Sequence, residues 1–351
     1  MIQELLEHVC KEEASDLILT VGLPPQLRVL GDLQAIGSDP LTQADVATHC
    51  MGLLTEEQKG VLMTRKSIDF SKGFPGLSRF RFNVFHQRGS LALAARRIPF
   101  DIPDFESLGL PAATCSRLAL KPHGLVLVTG AAGSGKSTTL ASMIDYINRH
   151  RPVHIICLED PIEYLHQHRK STVEQREMYE DTPSFETALR DVFRQSPDVI
   201  MVGELRDTES MQLALTLAET GHLVLGTLHT QDAVQAVSRI MNFFPSSRQE
   251  QGFAQLSMVL SGVISQILLR TVDSTRRVLA CEVMLASTAV RNLIRERQLQ
   301  QLYSTIQTGG DAGMVTMNES LYRLVGRGLV DPASALERSP RPAELERMLE
   351  R

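Results

Sequence analysis

Over roughly the first hundred residues the apolar positions recur in short, mixed patterns. Ile2, Leu5, Leu6 and Val9 share one face of a helix, and the run Leu17 to Val21 reads as a strand closed by Gly22 and the Pro24, Pro25 turn. Leu27 to Leu30 reads as a second strand with Gly31 and Asp32 as a tight turn, and Thr55 with Gln58 carries a capping-box signature. From Arg79 to Phe85 the pattern alternates: Phe80, Phe82 and Val84 take one face, Arg79, Arg81 and Asn83 the other, and Leu91 to Ile98 is the expected partner strand. Pro99, Pro103, Gly109 and Pro111 then punctuate the chain as a linker does. These patterns predict an α+β domain over residues 1–98, a linker over 99–111 and a second domain over 112–351.

Beyond the linker, buried strands alternate with amphipathic helices, the pattern of a parallel α/β sheet. Leu125 to Val128 is a short apolar strand, and Leu140, Met143, Ile144 and Ile147 have helical spacing. Between them Gly130, Ala131, Ala132, Gly133, Ser134, Gly135, Lys136, Ser137 and Thr138 fit the Walker A pattern GxxxxGK[ST]. Its glycines let the backbone curl around a polyphosphate with N–H groups inward. Lys136 is placed to reach the outer phosphates and Ser137 to hold Mg²⁺, while the helix start adds partial positive charge, so ATP and Mg²⁺ are the expected ligands.

Further acids and a histidine follow strands. Ile155 to Leu158 ends in Glu159, Asp160, Pro161, Ile162 and Glu163; Val199 to Val202 ends in Gly203 and Glu204; Leu223 to Leu225 leads through Gly226 to His229, with His222 just before it. Thr182 and Pro183 are expected to open a helix whose core face is Phe185, Ala188, Leu189, Val192 and Phe193. Ligands of open α/β sheets lie outside the carboxyl ends of the strands, so Glu159, Glu163, Glu204 and His229 should converge on the phosphates held by Lys136. There Glu204 can position Mg²⁺ or orient the attacking water. Glu163 reads as a second acid or as part of a turn, and His229 as a γ-phosphate sensor or a structural histidine. Arg81 and Arg96 are either exposed strand residues or arginines that stabilise charge on the γ-phosphate from another domain or subunit. Met211, Met241 and Met258 fall in helical patterns and read as core packing.

With 351 residues, 43% hydrophobic and 22% charged, the chain is long enough for about two self-sufficient domains. A net charge of -5 provides no global basic field, and no aromatic-basic stacking pattern is present, which disfavours a nucleic-acid translocase. No apolar run has the length of a membrane span, and MIQELLEHVCKEE carries acids where a secretion signal needs a basic start, so a cytoplasmic location is expected. Cys10, Cys50, Cys115, Cys157 and Cys281 are scattered without a CxxC pair, as suits buried, reduced thiols.

Taken together, SDLILTVGLPPQLRVLGDL, GAAGSGKST, LEDPIEY, DVIMVGELRD, AETGHLVLGTLHT and AVRNLIRE make the chain resemble, over nearly its whole length, the type IV pilus retraction ATPases. This is the PilT family of secretion-type hexameric ATPases. The resemblance implies an α/β fold class: a PAS-like α+β N-terminal domain followed by a RecA-like P-loop motor domain, assembled as a homohexamer. It gives Glu163 the acid-box role, makes Glu204 the catalytic Walker B glutamate with Ser137 and Glu204 at Mg²⁺, and makes His222 and His229 the histidine-box pair. Arg81 and Arg96 match N-domain arginines that reach nucleotide in related ATPases. The implied activity is Mg²⁺-dependent ATP hydrolysis whose domain movements power pilus retraction and twitching motility. The implied setting is the cytoplasmic face of the inner membrane, with a pilus platform protein, the pilus machinery and a related accessory ATPase as partners and no nucleic acid.

Two other members of this class fit less well or differently. Type II secretion and pilus-assembly ATPases usually carry a larger N-terminal region and a four-cysteine metal site, whereas a nonmotor accessory subunit would share most of these motifs. Ala131 and Ala132 replace the family's usual Pro and Thr in the loop, and Val290 replaces Ile in the late motif. In that motif Val290, Leu293 and Ile294 form a packing face while Arg291 and Arg295 are expected to be exposed, and the resemblance implies a coupling element. The Pro-punctuated, charged stretch from Asp331 to Arg351 reads as a solvated tail with a short helix.

Overall fold

A computed structural model describes residues 2–29, 32–98 and 100–350. The chain divides into two compact units, Met1–Asp101 and Ile102–Arg351. Leu30 at the end of the expected second strand, Gly31 of the expected turn and Pro99 of the expected linker lie outside the described residues.

The first unit is a six-stranded antiparallel sheet built from β1 (Asp16–Leu19), β2 (Gln26–Val29), β3 (Asp32–Ala35), β4 (Ser67–Phe74), β5 (Ser78–Gln87) and β6 (Ser90–Ile98), in the order β3-β2-β1-β6-β5-β4. Alternation along β5 sends Phe80, Phe82 and Val84 inward, and there they meet Leu17, Leu19, Phe70 and Leu93. Leu6 and Val9 of the helix Ile2–Lys11, Val46 and Cys50 of Gln43–Met51, and Leu62 of Glu56–Arg65 join the same core. Helices and sheet therefore share one apolar face, and Arg81 and Arg96 lie on the sheet's polar face. The Thr55–Gln58 capping box is formed, and a second one, Thr42 with Asp45, opens Gln43–Met51. β4 escapes a reading by pattern because Ser71, Lys72 and Gly73 interrupt its apolar positions.

The second unit contains β7 (Gly124–Thr129), β8 (His154–Glu159), β9 (Thr172–Glu177), β10 (Val199–Val202), β11 (Leu223–Leu228), β12 (Leu260–Arg270) and β13 (Arg277–Leu285). Their order is β13-β12-β7-β11-β10-β8-β9, parallel except where β13 returns antiparallel beside β12. A parallel sheet covered on both faces needs strands that are apolar throughout. In β7, Leu125 and Leu127 face one core and Val126 and Val128 the other.

Several expectations require correction. The helix expected from Thr182 runs from Phe185 to Val192, capped by Ser184, and Phe193 lies past its end with 41% of its surface exposed. Met258 is 61% exposed: the helix Gln249–Val259 buries Phe253 and Leu256, and a residue two places beyond Leu256 points away from that face. Cys10 is partly exposed while the other four cysteines are buried, and all five are free.

The terminal stretch is not a solvated tail. The helices Pro332–Arg338 and Pro342–Leu349 bury Ala335 and Leu345 against Met317, Leu321 and Leu324 of Met317–Gly326 and against Leu269 and Ala280 of β12 and β13. Two inward residues among many charges make a stripe too sparse to read as a core face.

The largest departure concerns Arg291. The helix Thr288–Arg295 buries Val290 and Ile294 as expected, but Arg291 folds back on the preceding structure. Its Nε donates to the Ala286 carbonyl at 3.0 Å, and its Nη1 donates to the carbonyls of Ser257, at 2.6 Å, and Met258. Those last two carbonyls end the helix Gln249–Val259, where backbone acceptors lack intrahelical donors, so the guanidinium acts as a C-terminal cap. Burial draws its pKa below the usual arginine range. Arg295 is exposed and, among the described residues, pairs only locally, with Asn292 and Glu296. Arg291→Ala should therefore lower unfolding free energy by about 1–3 kcal/mol, and Arg295→Ala by less than about 0.5 kcal/mol. Denaturant titration of the two purified variants distinguishes an anchoring arginine from a surface one.

Candidate active site

The fully buried strand β7 ends at Thr129, and the chain then turns through a loop whose backbone only glycine accommodates at its ends. Gly130 has φ +146°, and a Cβ there would lie 2.4 Å from the Gln266 carbonyl and 2.5 Å from Ser134 Oγ. Gly135, at φ +90°, caps the helix Lys136–His150. The Lys136 ammonium donates to the carbonyls of Gly130, at 2.9 Å, and Ala131, at 3.0 Å, tying the start of the loop to the residue that follows its end. Partial burial pulls the Lys136 pKa down, opposed by the nearby carboxylates of Glu204 and Glu163.

Because β7, β11, β10 and β8 run parallel as adjacent strands, their carboxyl ends deliver the following residues to one edge. The expected acids and His229 do converge there. Glu204 Oε1 lies 3.0 Å from His229 Nε2, and His229 Nδ1 lies 3.5 Å from Lys136 Nζ. A cavity of about 240 Å³ is lined by Lys136, Ser137, Glu163, Glu204, Arg206 and His229 among others. β11 continues through Gly226 to Leu228, so His229 is the first residue beyond the strand.

Three side chains in this site went unread in the sequence. Arg206 Nε holds Glu204 Oε2 at 2.7 Å, and this bond raises the arginine's pKa further. Its position two residues after Glu204 was the available signal. Gln175, from β9, donates to Glu159 at 2.9 Å and to the Tyr164 carbonyl at 2.7 Å, while its own carbonyl accepts from the His166 backbone at 2.9 Å. Nothing in the local pattern marks Gln175, which the β8–β9 pairing brings there, or His166, whose backbone N–H the Gln175 side chain holds. Burial raises the Glu159 carboxyl to about 7 and lowers the His166 imidazole to about 4.

Other expected site residues lie elsewhere. His222 is at the amino end of β11, opposite His229, where its Nδ1 contacts the Leu217 carbonyl at 3.0 Å and Thr220 Oγ1 at 3.2 Å. Arg81 and Arg96 belong to the first unit, side by side in the β5–β6 register. Among the described residues no cluster of three or more His, Cys, Asp or Glu could by itself hold a metal. The cavity instead offers the Ser137 hydroxyl and the Glu204 carboxylate, hard oxygen donors that fit Mg²⁺ in a site where phosphates and waters complete the coordination.

Residues 92–325 match the family described as Type II/IV secretion system protein. The type IV pilus retraction ATPase PilT of Pseudomonas aeruginosa is 44% identical over 97% of this chain and 98% of its own. The chain belongs to the PilT family. A crystal structure of the pilus retraction motor PilT with bound ADP superposes with a TM-score of 0.90 and 47% identity, covering 99% of each chain. The type IV pilus ATPase PilU of P. aeruginosa is 39% identical over 99% of this chain and 91% of its own. As a member of this family the chain is a nucleotide-binding P-loop ATPase, with an α+β N-terminal domain and a RecA-like motor domain. Among the described residues no helix is long and apolar enough to cross a membrane.

The raised Glu159 pKa gives a pH dependence of defined sign. Between its ordinary value of 4.5 and about 7 the folded protein binds this proton more than the unfolded chain does. Stability from this group is therefore complete below 4.5 and is lost as pH rises through about 7. Glu159→Gln should flatten the fall in melting temperature of nucleotide-free protein between those pH values. An unchanged slope would place the titration on another group.

Proposed function

We propose that this protein is an Mg²⁺-dependent ATPase that powers type IV pilus retraction. The observation that carries this reading is the contact sequence from Glu204 through His229 to Lys136, which links a proton acceptor to the lysine of the phosphate loop. On binding ATP, the loop N–H groups and Lys136 hold the phosphates, and the lysine exchanges its bonds to the Gly130 and Ala131 carbonyls for phosphate oxygens. Ser137 and Glu204 would hold Mg²⁺, which when bound neutralises phosphate charge. Glu204 accepts the proton of the attacking water, with Arg206 fixing one carboxylate oxygen and His229 the other. Glu163 assists from the neighbouring strand end. His229, between Glu204 and Lys136, is placed to respond when a γ-phosphate is present or lost.

Arg81 and Arg96 supply positive charge to the transferring phosphoryl group from an N-terminal domain. His222 supports this scheme at a distance by tying the end of the helix Thr208–Glu219 to the start of β11. The proposed domains are residues 1–98 and 112–351, joined by 99–111. The active form is a homohexamer at the cytoplasmic face of the inner membrane, engaging a pilus platform protein and the pilus machinery. Hydrolysis moves domains of that ring, and the helix Thr288–Arg295 transmits the movement.

A second reading is a nonmotor accessory subunit that binds nucleotide beside a separate motor, since such a subunit would share most of this chain's motifs. Glu204→Gln should retain nucleotide binding but lose turnover by about a hundredfold or more, since an amide cannot take the water's proton. Cells carrying only this variant should fail to twitch. Near-parental hydrolysis would remove Glu204 from catalysis, and retraction persisting in cells without the protein would select the accessory reading.

A further inference from the structure

A line of charge crosses the polar face of the N-terminal sheet. The strand register places Arg28 of β2, Asp16 of β1, Arg96 of β6 and Arg81 of β5 side by side, one residue per strand. Asp16 stands between two of the arginines. Its Oδ1 accepts from Arg96 Nε at 2.9 Å, and its Oδ2 lies 3.6 Å from Arg28 Nε and accepts from Ser15 Oγ at 2.7 Å. The Asp16 side chain is only 15% exposed, whereas that of Arg96 is 73% exposed. Arg81 pairs loosely with a different acid, Asp69, at 3.8 Å.

The way the carboxylate grips Arg96 matters. A carboxylate that meets an arginine end-on occupies its terminal fork and leaves little for another anion. Here the bond is made through Nε, on the side of the guanidinium, and among the described residues the two Nη groups of Arg96 form no hydrogen bond. The stem is held while the fork stays open. An unheld arginine loses rotamer freedom when it binds an anion, and fixing Nε beforehand removes part of that loss. Because Asp16 is shared with Arg28, it does not cancel the positive charge of the line.

We propose that Asp16 is the positioning residue for Arg96, orienting its guanidinium so that both Nη groups meet a phosphate oxyanion of the nucleotide. This rests on the reading of Arg96 as an arginine that engages ATP. It also gives a chemical role to the acid of the SDLILT stretch, which otherwise reads only as the start of a strand.

The test compares ATPase kcat and KM, together with melting temperatures, for full-length Arg96→Ala, Asp16→Ala, Asp16→Asn and the double variant Asp16→Ala, Arg96→Ala. Arg96→Ala should lose about a thousandfold in kcat. Asp16→Ala should lose roughly tenfold, mainly in kcat, because a misplaced group acts less well in the transition state. Asp16→Asn should recover most of that loss, since its amide oxygen still accepts from Nε. The double variant should be no slower than Arg96→Ala alone, because Asp16 acts only through Arg96. Parental kcat in Asp16→Ala beside an impaired Arg96→Ala overturns the positioning role. Additive losses accompanied by a lower melting temperature overturn it as well, assigning Asp16 to the fold. Parental kcat in Arg96→Ala overturns the underlying reading of the arginine.

Discussion

The burial of β7 on both faces is the constraint on which the candidate active site depends. A strand with Leu125 and Leu127 in one core and Val126 and Val128 in the other cannot rotate or slip by one residue without exchanging its two sets of partners. Its end at Thr129, and hence the start of the phosphate loop, is fixed by packing far more extensive than any contact within the loop. The same holds for β8, β10 and β11, whose ends deliver Glu159, Glu204 and His229. Chemistry that requires atoms to meet at about 3 Å is thus placed at the ends of buried, closely packed strands.

Much of this was legible in the sequence because continuous apolar strands, Gly-rich loops and helical spacing are local signals. Gly130 to Thr138 could be read in one glance, and the strand ends followed from the parallel topology. What escaped were features set by pairing partners distant in sequence. Gln175 enters the site because β9 adds beside β8, and it holds the His166 backbone there, while Gln266, whose carbonyl crowds Gly130, arrives on β12. Likewise Ala335 and Leu345 are two apolar contacts among charges, and only the core they complete with Leu321 and Leu269 makes them visible.

Two arginines illustrate the limit of reading a side chain by its position on a helix or strand. Arg291 and Arg295 share helical spacing, yet one caps the carbonyls of a neighbouring helix and the other faces solvent. Arg96 and Arg81 are cross-strand neighbours, yet one is gripped at 2.9 Å and the other only loosely at 3.8 Å. In each pair the difference comes from what the rest of the fold offers: unpaired helix-end carbonyls in the first case, a sheltered carboxylate in the second. Charge patterning alone cannot distinguish an arginine gripped by the rest of the fold from one that is only loosely paired.

The bonds from Lys136 to its own loop also bear on how that loop keeps its shape. A partly buried ammonium left without acceptors is costly and tends to lose its proton or drag the backbone around it out of shape. Here the Gly130 and Ala131 carbonyls are its acceptors. One side chain thus serves as a clasp between the start of the loop and the first residue of the helix that follows, so the cation of the Walker A pattern is also part of the framework that shapes it.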